Sequence, residues 1–305
     1  MIRPGTWLLA IAFICASVAA GLASAAEKAP KAWTYMIFMN ADNDLDPFAD
    51  EDFTELMRVG SSDWLNIVTI TDREKGPAAL HYVEKGNNVT VRELGEIDMG
   101  DWKTLVNFVK EVSTSYPARH YAVSLWNHGS GWKHTQKVFK GISYDDQSGN
   151  YITTAQLGQA TREIKAILGK KLDLLTMDAC LMQMMEIAWE VHKNVDYVVA
   201  SEELEPGNGY PYDSHMAGLK PYTTPREFVC HMVSSFKTAY NGGVYGTEDT
   251  TQSAIDCSRL PALKDAIDGW AKAAMSGSYA QAYKQALLDV QKFDTKTNID
   301  LWHLI

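Results

Sequence analysis

The sequence predicts an α/β fold with a mostly parallel sheet of about six strands, and three observations carry it. Short apolar runs such as WTYMIFMN (33–40), LNIVTIT (65–71) and LDLLTM (172–177) lack polar alternation, which suits strands buried on both faces. Amphipathic helical segments fall between these runs, as in a chain whose strands are joined by crossover helices. No repeat, low-complexity tract or linker follows residue 32, so the pattern belongs to one domain. With 46% hydrophobic and 22% charged residues over 305 positions, the chain can bury a large core and is not disordered.

The elements follow in order. After the first strand comes the acidic turn Ala41-Asp42-Asn43-Asp44-Leu45-Asp46, expected to cap a helix over 48–58. Its alternating carboxylates are similar to a calcium loop, but the EF-hand register fails: Pro47 stands where the turn glycine belongs and Phe53 where the bidentate Glu belongs. The second strand (65–71) precedes a small hairpin, 80–83 with 89–93, joined by Lys85-Gly86-Asn87-Asn88. Asp101 can cap a helix whose Trp102, Leu105, Val106 and Val109 share a face. YAVSLW (121–126) is a third buried strand, running into Asn127-His128-Gly129-Ser130-Gly131-Trp132.

Residues 133–150, polar and ending in turn formers, read as an exposed loop. Thr153 with Gln156 is a capping-box signature for a helix to about 168. The strand 172–177 then breaks at Asp178-Ala179-Cys180, and Leu181, Met184, Met185 and Ala188 resume at helical spacing. A strand feeding straight into a helix would put Cys180 at a helix N-terminus, where free N–H groups favour a thiolate. DYVVAS (196–201) leads into the acidic, glycine-rich stretch 202–210. Thr224-Pro225-Arg226-Glu227 starts a further helix, 251–257 reads as a last strand, and two amphipathic helices over 261–275 and 279–293 follow.

Arg3 precedes an uncharged run, and Ala23-Ser24-Ala25 fits a small-x-small cleavage site. Residues 1–25 therefore read as a signal peptide and 26–305 as the exported domain, periplasmic or extracellular, with no membrane association after cleavage. The rival is a retained anchor. Cys15 invites a lipoprotein reading, but Phe13-Ile14 lacks the small residue such processing needs. A formal charge of -10 argues against a nucleic-acid partner. The exported chain holds Cys180, Cys230 and Cys257, and an odd number leaves at least one thiol unpaired. Cys230 and Cys257 either pair or sit in the core. NIDLWHLI (298–305) ends without a cap or polar tail, so a further subdomain is expected beyond it.

Several chemistries lack their residues. Ser130 lies in HGSGW with no G-x-S-x-G elbow. No histidine pair or C-x-x-C has zinc spacing, and no glycine-rich turn opens a helix with Lys-Ser or Lys-Thr. His128 and Cys180 remain. Each follows a buried strand, and in consecutive parallel strands both reach one crevice, where a nucleophile and a proton-transfer group must meet.

Those blocks also carry a resemblance. The strand before NHGSGW, the strand before Asp178-Ala179-Cys180, and Ser201-Glu202-Glu203-Leu204-Glu205-Pro206-Gly207 resemble the clostripain family of cysteine peptidases, in the caspase-like clan. MNADNDLD after the first strand is similar too, and the resemblance runs over about residues 33 to 305. It implies a caspase-like α/β/α sandwich and an endopeptidase that cuts after Arg or Lys through a Cys180–His128 dyad. Gly129 and Cys180 amides are the expected oxyanion donors. Asp178 is the expected acid for a basic P1 side chain, against a purely structural role as a helix cap. Glu202, Glu203 and Glu205 are second candidates, and Asp42 and Asn43 are expected to line the pocket from the first strand. No cofactor is required, although the acidic loops permit calcium. The family matures by cutting itself between its His and Cys, which points to Lys133, Lys137 or Lys140, Lys140 foremost. A silent binding protein on the same fold and a transpeptidase using the same thioester are the alternatives.

Overall fold

A computed structural model describes residues 29–132, 141–275 and 279–304. Its strands are β1 (Lys31–Ala41), β2 (Leu65–Arg73), β3 (Ala78–Glu84), β4 (Asn87–Gly95), β5 (Ala118–Trp126), β6 (Gly141–Asp145), β7 (Asn150–Thr153), β8 (Leu172–Asp178), β9 (Val195–Ala200), β10 (Asn241–Gly243), β11 (Gly246–Thr247) and β12 (Ser253–Asp256). Its helices are α1 (Asp46–Val59), α2 (Trp102–Ser115), α3 (Thr154–Leu168), α4 (Met185–Val191), α5 (Tyr212–Ala217), α6 (Pro225–Tyr240), α7 (Leu260–Met275), α8 (Ala280–Asp289) and α9 (Leu301–Leu304).

Eight strands form the main sheet in the order β12-β9-β8-β5-β1-β2-β3-β4. The five central strands are parallel, and β12, β3 and β4 add antiparallel edges. The six strands read from the sequence all lie here. The hairpin supplies the other two, because β3 pairs with β2 instead of standing apart.

β1 shows why its sequence does not alternate in polarity. Met36 and Phe38 point into one core with α2, α3 and α4, while Trp33, Tyr35, Ile37 and Met39 point into a second core with α1, α5 and α6. Both faces are covered, so both sets must be apolar. The layers stack as the expected α/β/α sandwich. The expected caps also form: Asp101 accepts from Lys103 N, and Thr153 with Gln156 and Thr224 with Glu227 close capping boxes.

Three expectations change. Within the loop expected over 133–150, residues 141–145 instead form β6, which pairs with β7 as a hairpin, Gly141 opposite Thr153. The helix after Cys180 begins five residues late, at Met185. The predicted helix over 279–293 shortens to α8, and Lys292 instead bridges to Ile299. Residues 1–25 lie outside the described residues, as do Lys133, Lys137 and Lys140. Among the described residues, no helix is long and apolar enough to cross a membrane. Cys180, Cys230 and Cys257 are all free, so Cys230 and Cys257 do not pair.

Candidate active site

The site is set by register. β5 and β8 run parallel, and their last paired residues are Trp126 and Asp178. His128 and Cys180 each follow two residues later, so both leave the sheet at the same carboxyl edge. The Asn127 amide donates to the Asp178 carbonyl at 3.2 Å, which carries the pairing one step beyond the strands. Gly129 lets the two exits touch. A Cβ there would stand 2.3 Å from the Cys180 carbonyl oxygen and 2.7 Å from Met182 Cγ, distances no side chain tolerates.

Cys180 does not open a helix. Leu181 takes a left-handed φ of 63°, and its amide donates to the Glu203 carbonyl at 3.1 Å. Gln183 N donates to the Ser201 carbonyl at 2.8 Å. Residues 181–183 are thus tied to 201–203 and cannot coil until Met185. A buried leucine in this conformation is a strained position, worth about 1–3 kcal/mol, held by its surroundings directly after Cys180. With no helix end beneath it, the thiol loses the expected dipole. Burial pushes the Cys180 thiol up, opposed by the Glu205 amide, which donates to Sγ at 3.2 Å.

His128 faces the acidic turn after β1. Its Nε2 lies 2.6 Å from Asp44 Oδ1, which fixes the proton on Nε2 and leaves Nδ1 as the accepting nitrogen of the neutral ring. The loop beneath is clamped by Asn127. Its Nδ2 donates to the Asn40 carbonyl at 2.7 Å, and its Oδ1 accepts from Tyr144 N at 2.6 Å. Asp42 and Asn43, expected to line a substrate pocket, fasten the turn to the β6 hairpin. Asp42 accepts from Gln147 N and Nε2, and Asn43 Nδ2 donates to the Tyr144 carbonyl. Asp44, their neighbour, is the turn residue that reaches the site. The sequence signal for it was present in MNADNDLD, but an alternating run of acids does not say which one turns inward.

A layer of acids underlies Cys180. Asp178 caps no helix. Its Oδ2 accepts from Tyr212 O–H at 2.8 Å and from Tyr210 N at 3.3 Å, with Gly209 packed against it. Burial pushes its carboxyl up to about 7 against those two hydrogen bonds. Glu205 is raised well above the usual range by burial and then by the Asp178 charge. Both its carboxylate oxygens are buried, and the Ala179 amide faces it without closing a hydrogen bond of ordinary geometry. Asp52, raised by burial and Asp178, accepts from Trp126 Nε1. Glu55 accepts from Tyr212 N and Tyr245 O–H. Among the described residues, no cation pairs with Asp178, Glu205 or Asp52. Glu203 Oε1 accepts from the Asp294 amide at 3.2 Å, and the charge that Glu202 feels is that of Asp300, not Asp178. Of the second candidates, Glu205 is therefore the one that joins Asp178. Asp52 was missed because it reads as an ordinary polar position of an amphipathic helix.

With this geometry in place, known proteins can be set beside it. The sequence profile described as the clostripain family matches residues 37–302. Clostripain of Hathewaya histolytica is 28% identical over 226 residues, a match covering 61% of this chain and 42% of that protein. The chain thus aligns with about two fifths of that relative. A secreted C11 cysteine protease of Bacteroides thetaiotaomicron, solved with an irreversible peptide inhibitor, superposes with a TM-score of 0.69 at 22% identity, covering 90% of this chain and 77% of the other. An inactive zymogen C11 protease of Parabacteroides distasonis gives 0.63 at 22% identity, covering 77% of this chain and 64% of the other.

The upward shift at Cys180 has a measurable consequence. A raised pKa keeps the free thiol protonated at neutral pH, so its thiolate fraction climbs about tenfold per pH unit until that pKa is reached. Iodoacetamide labelling of Cys180, followed by mass spectrometry in a Cys230→Ser background, should accelerate in that way from pH 6 to 8. A rate already level at pH 6 would mean a standing thiolate and would overturn this assignment.

Proposed function

The chain belongs to the clostripain family, and we propose that it is an exported cysteine endopeptidase that cuts after Arg or Lys through Cys180 and His128. The observation that carries this is the shared register of β5 and β8, which brings the two residues out together with Gly129 against Cys180. Sulfur attacks the scissile carbonyl as His128 Nδ1 takes the thiol proton, forming the S–C bond. The same nitrogen then returns the proton to the leaving amine as the C–N bond breaks. Water, deprotonated by His128, hydrolyses the thioester. Asp44 holds the ring tautomer, and the Gly129 and Cys180 amides are the candidates to bind the oxyanion.

The basic P1 preference is supported by the acid layer. Asp178 and both carboxylate oxygens of Glu205 are buried without a cation among the described residues, and a P1 guanidinium or ammonium would supply one. Only ionised Asp178 can pair with it. Since its carboxyl sits at about 7, KM for Arg peptides should fall as pH rises from 6 to 8. Peptides differing only at P1 make the test. Cys180→Ala should abolish turnover and His128→Ala nearly so, while Asp178→Asn should lose about a hundredfold on Arg and Lys peptides, as expected for unpairing a buried charge. Turnover by Cys180→Ala would sink the assignment, and an equal Asp178→Asn loss on a neutral P1 would make Asp178 structural.

Self-cleavage after Lys133, Lys137 or Lys140 belongs to the same proposal. Gly141, which follows Lys140, opens β6. A cut there would separate β1–β5 from β6–β12, yet β5 and β8 pair across the break, so the pieces should stay together. Wild-type protein should therefore elute as one species and run as two bands under denaturing conditions, with Cys180→Ala intact. A single-chain wild type that cleaves Arg or Lys peptides at full rate would contradict this.

A further inference from the structure

An apolar groove leaves the catalytic edge on the face of the sheet opposite the acid layer. Asp178 bonds to Tyr212, and Asp52 and Glu55 stand on α1, so these acids lie on the side of the second core. Met184, Met185 and Trp189 pack against the first core, across the sheet. Two adjoining cavities open there. One, of about 620 Å³, is walled by Trp132, Ala155, Met185 and Trp189. The other, of about 450 Å³, is walled by Trp132, Met184, Met185, Ile255, Leu263 and Ile267. Trp132 and Met185 belong to both, so the two form one groove.

Trp132 ties this groove to the chemistry. It ends the segment Asn127-His128-Gly129-Ser130-Gly131-Trp132 that leaves β5, and it is 43% exposed. Leu263, in the same groove, is exposed too, so apolar surface is gathered here instead of scattered singly. Gly131 seats the His128 loop on the groove: a Cβ there would stand 2.5 Å from Met184 Cε. Trp189 is held by stacking on His192, with ring centroids 4.3 Å apart.

In the peptidase reading, on which this inference rests, His128 protonates the leaving amine. The peptide after the scissile bond therefore passes His128 and follows its loop. Side chains of an extended peptide alternate, so with P1 turned into the acid layer the second residue after the bond is the next to face the protein. It lies about 7 Å further on, across the sheet edge, where the groove begins. We propose that the groove binds a large apolar side chain at this second residue, P2′, with Trp132 as the specificity-determining contact.

The chain's own sequence agrees with such a preference. Phe139 is the second residue after Lys137 and Ile142 the second after Lys140, whereas Lys133 is followed at that position by Thr135. Charge at the rim opposes the alternative of an acidic side chain. Glu186 and Glu190 stand exposed there, and Lys264 beside them is already engaged by Asp265 and Asp268.

Internally quenched peptides with Arg at P1 and Phe, Leu, Ala or Asp at P2′ make the test, with the full chain as enzyme. kcat/KM should be about tenfold higher for Phe and Leu than for Ala, as expected for filling an apolar pocket, and lower still for Asp. Trp132→Ala, at an exposed position, should bring the Leu-to-Ala ratio to about one. That ratio is internal to each protein, so it reports specificity whatever the variant does to the overall rate. Equal rates for Leu, Ala and Asp would overturn the inference and leave the peptidase reading standing, whereas no cleavage of any peptide would overturn both. A Leu preference that Trp132→Ala retains would place the pocket elsewhere and overturn it too.

Discussion

The pairing of β5 with β8 is the constraint on which the rest depends. Parallel strands fix their exits together, and here Trp126 opposite Asp178 sends the two following segments out side by side. Once that register is set, a histidine two residues after one strand and a cysteine two residues after the other share an edge. Gly129 is the local condition for it, since any side chain there would drive the Cys180 carbonyl away. A one-residue slip of β8 would turn its whole buried set over, so the two cores of the sandwich guard the register that the chemistry needs.

The elements around this pair divide their work. On one side, Asn127 and Asn43 sew the β1 turn, the His128 loop and the β6 hairpin into one unit, with Asp44 against the imidazole. On the other, residues 201–205 hold 180–183 by backbone hydrogen bonds and bring an amide to the sulfur. Beneath both lie carboxylic acids whose burial costs stability and whose charge has no protein counterpart among the described residues. Uncompensated buried acids are expensive, and a fold keeps them where a ligand completes them. The layer below Cys180 is where the proposed P1 cation would be held.

Much of the fold was legible because strands buried on both faces leave unmistakable apolar runs, as β1 and β8 do, and because Thr153 and Thr224 announce their helices by local chemistry alone. That His128 and Cys180 leave the sheet at one edge was legible because each follows such a run. The turn after Cys180 was not. Leu181 and Met184 keep helical spacing, but hydrogen bonds to Glu203 and Ser201, twenty residues on, outbid the local preference. The same non-local reason hid Asp44 and Asp52. Which carboxylate turns toward an imidazole or an indole depends on strands distant in sequence, and periodicity carries no trace of it.

The central claim is that Cys180 and His128 act as one unit on a peptide with a basic P1 residue. It is tested most directly by covalent capture. An irreversible peptide ketone carrying Arg at P1, reacted with the full chain and located by peptide mass mapping, should label Cys180 alone. Labelling should be lost in His128→Ala and slowed with a neutral residue at P1. An adduct on Cys230, or equal labelling of the His128→Ala protein, would contradict the account.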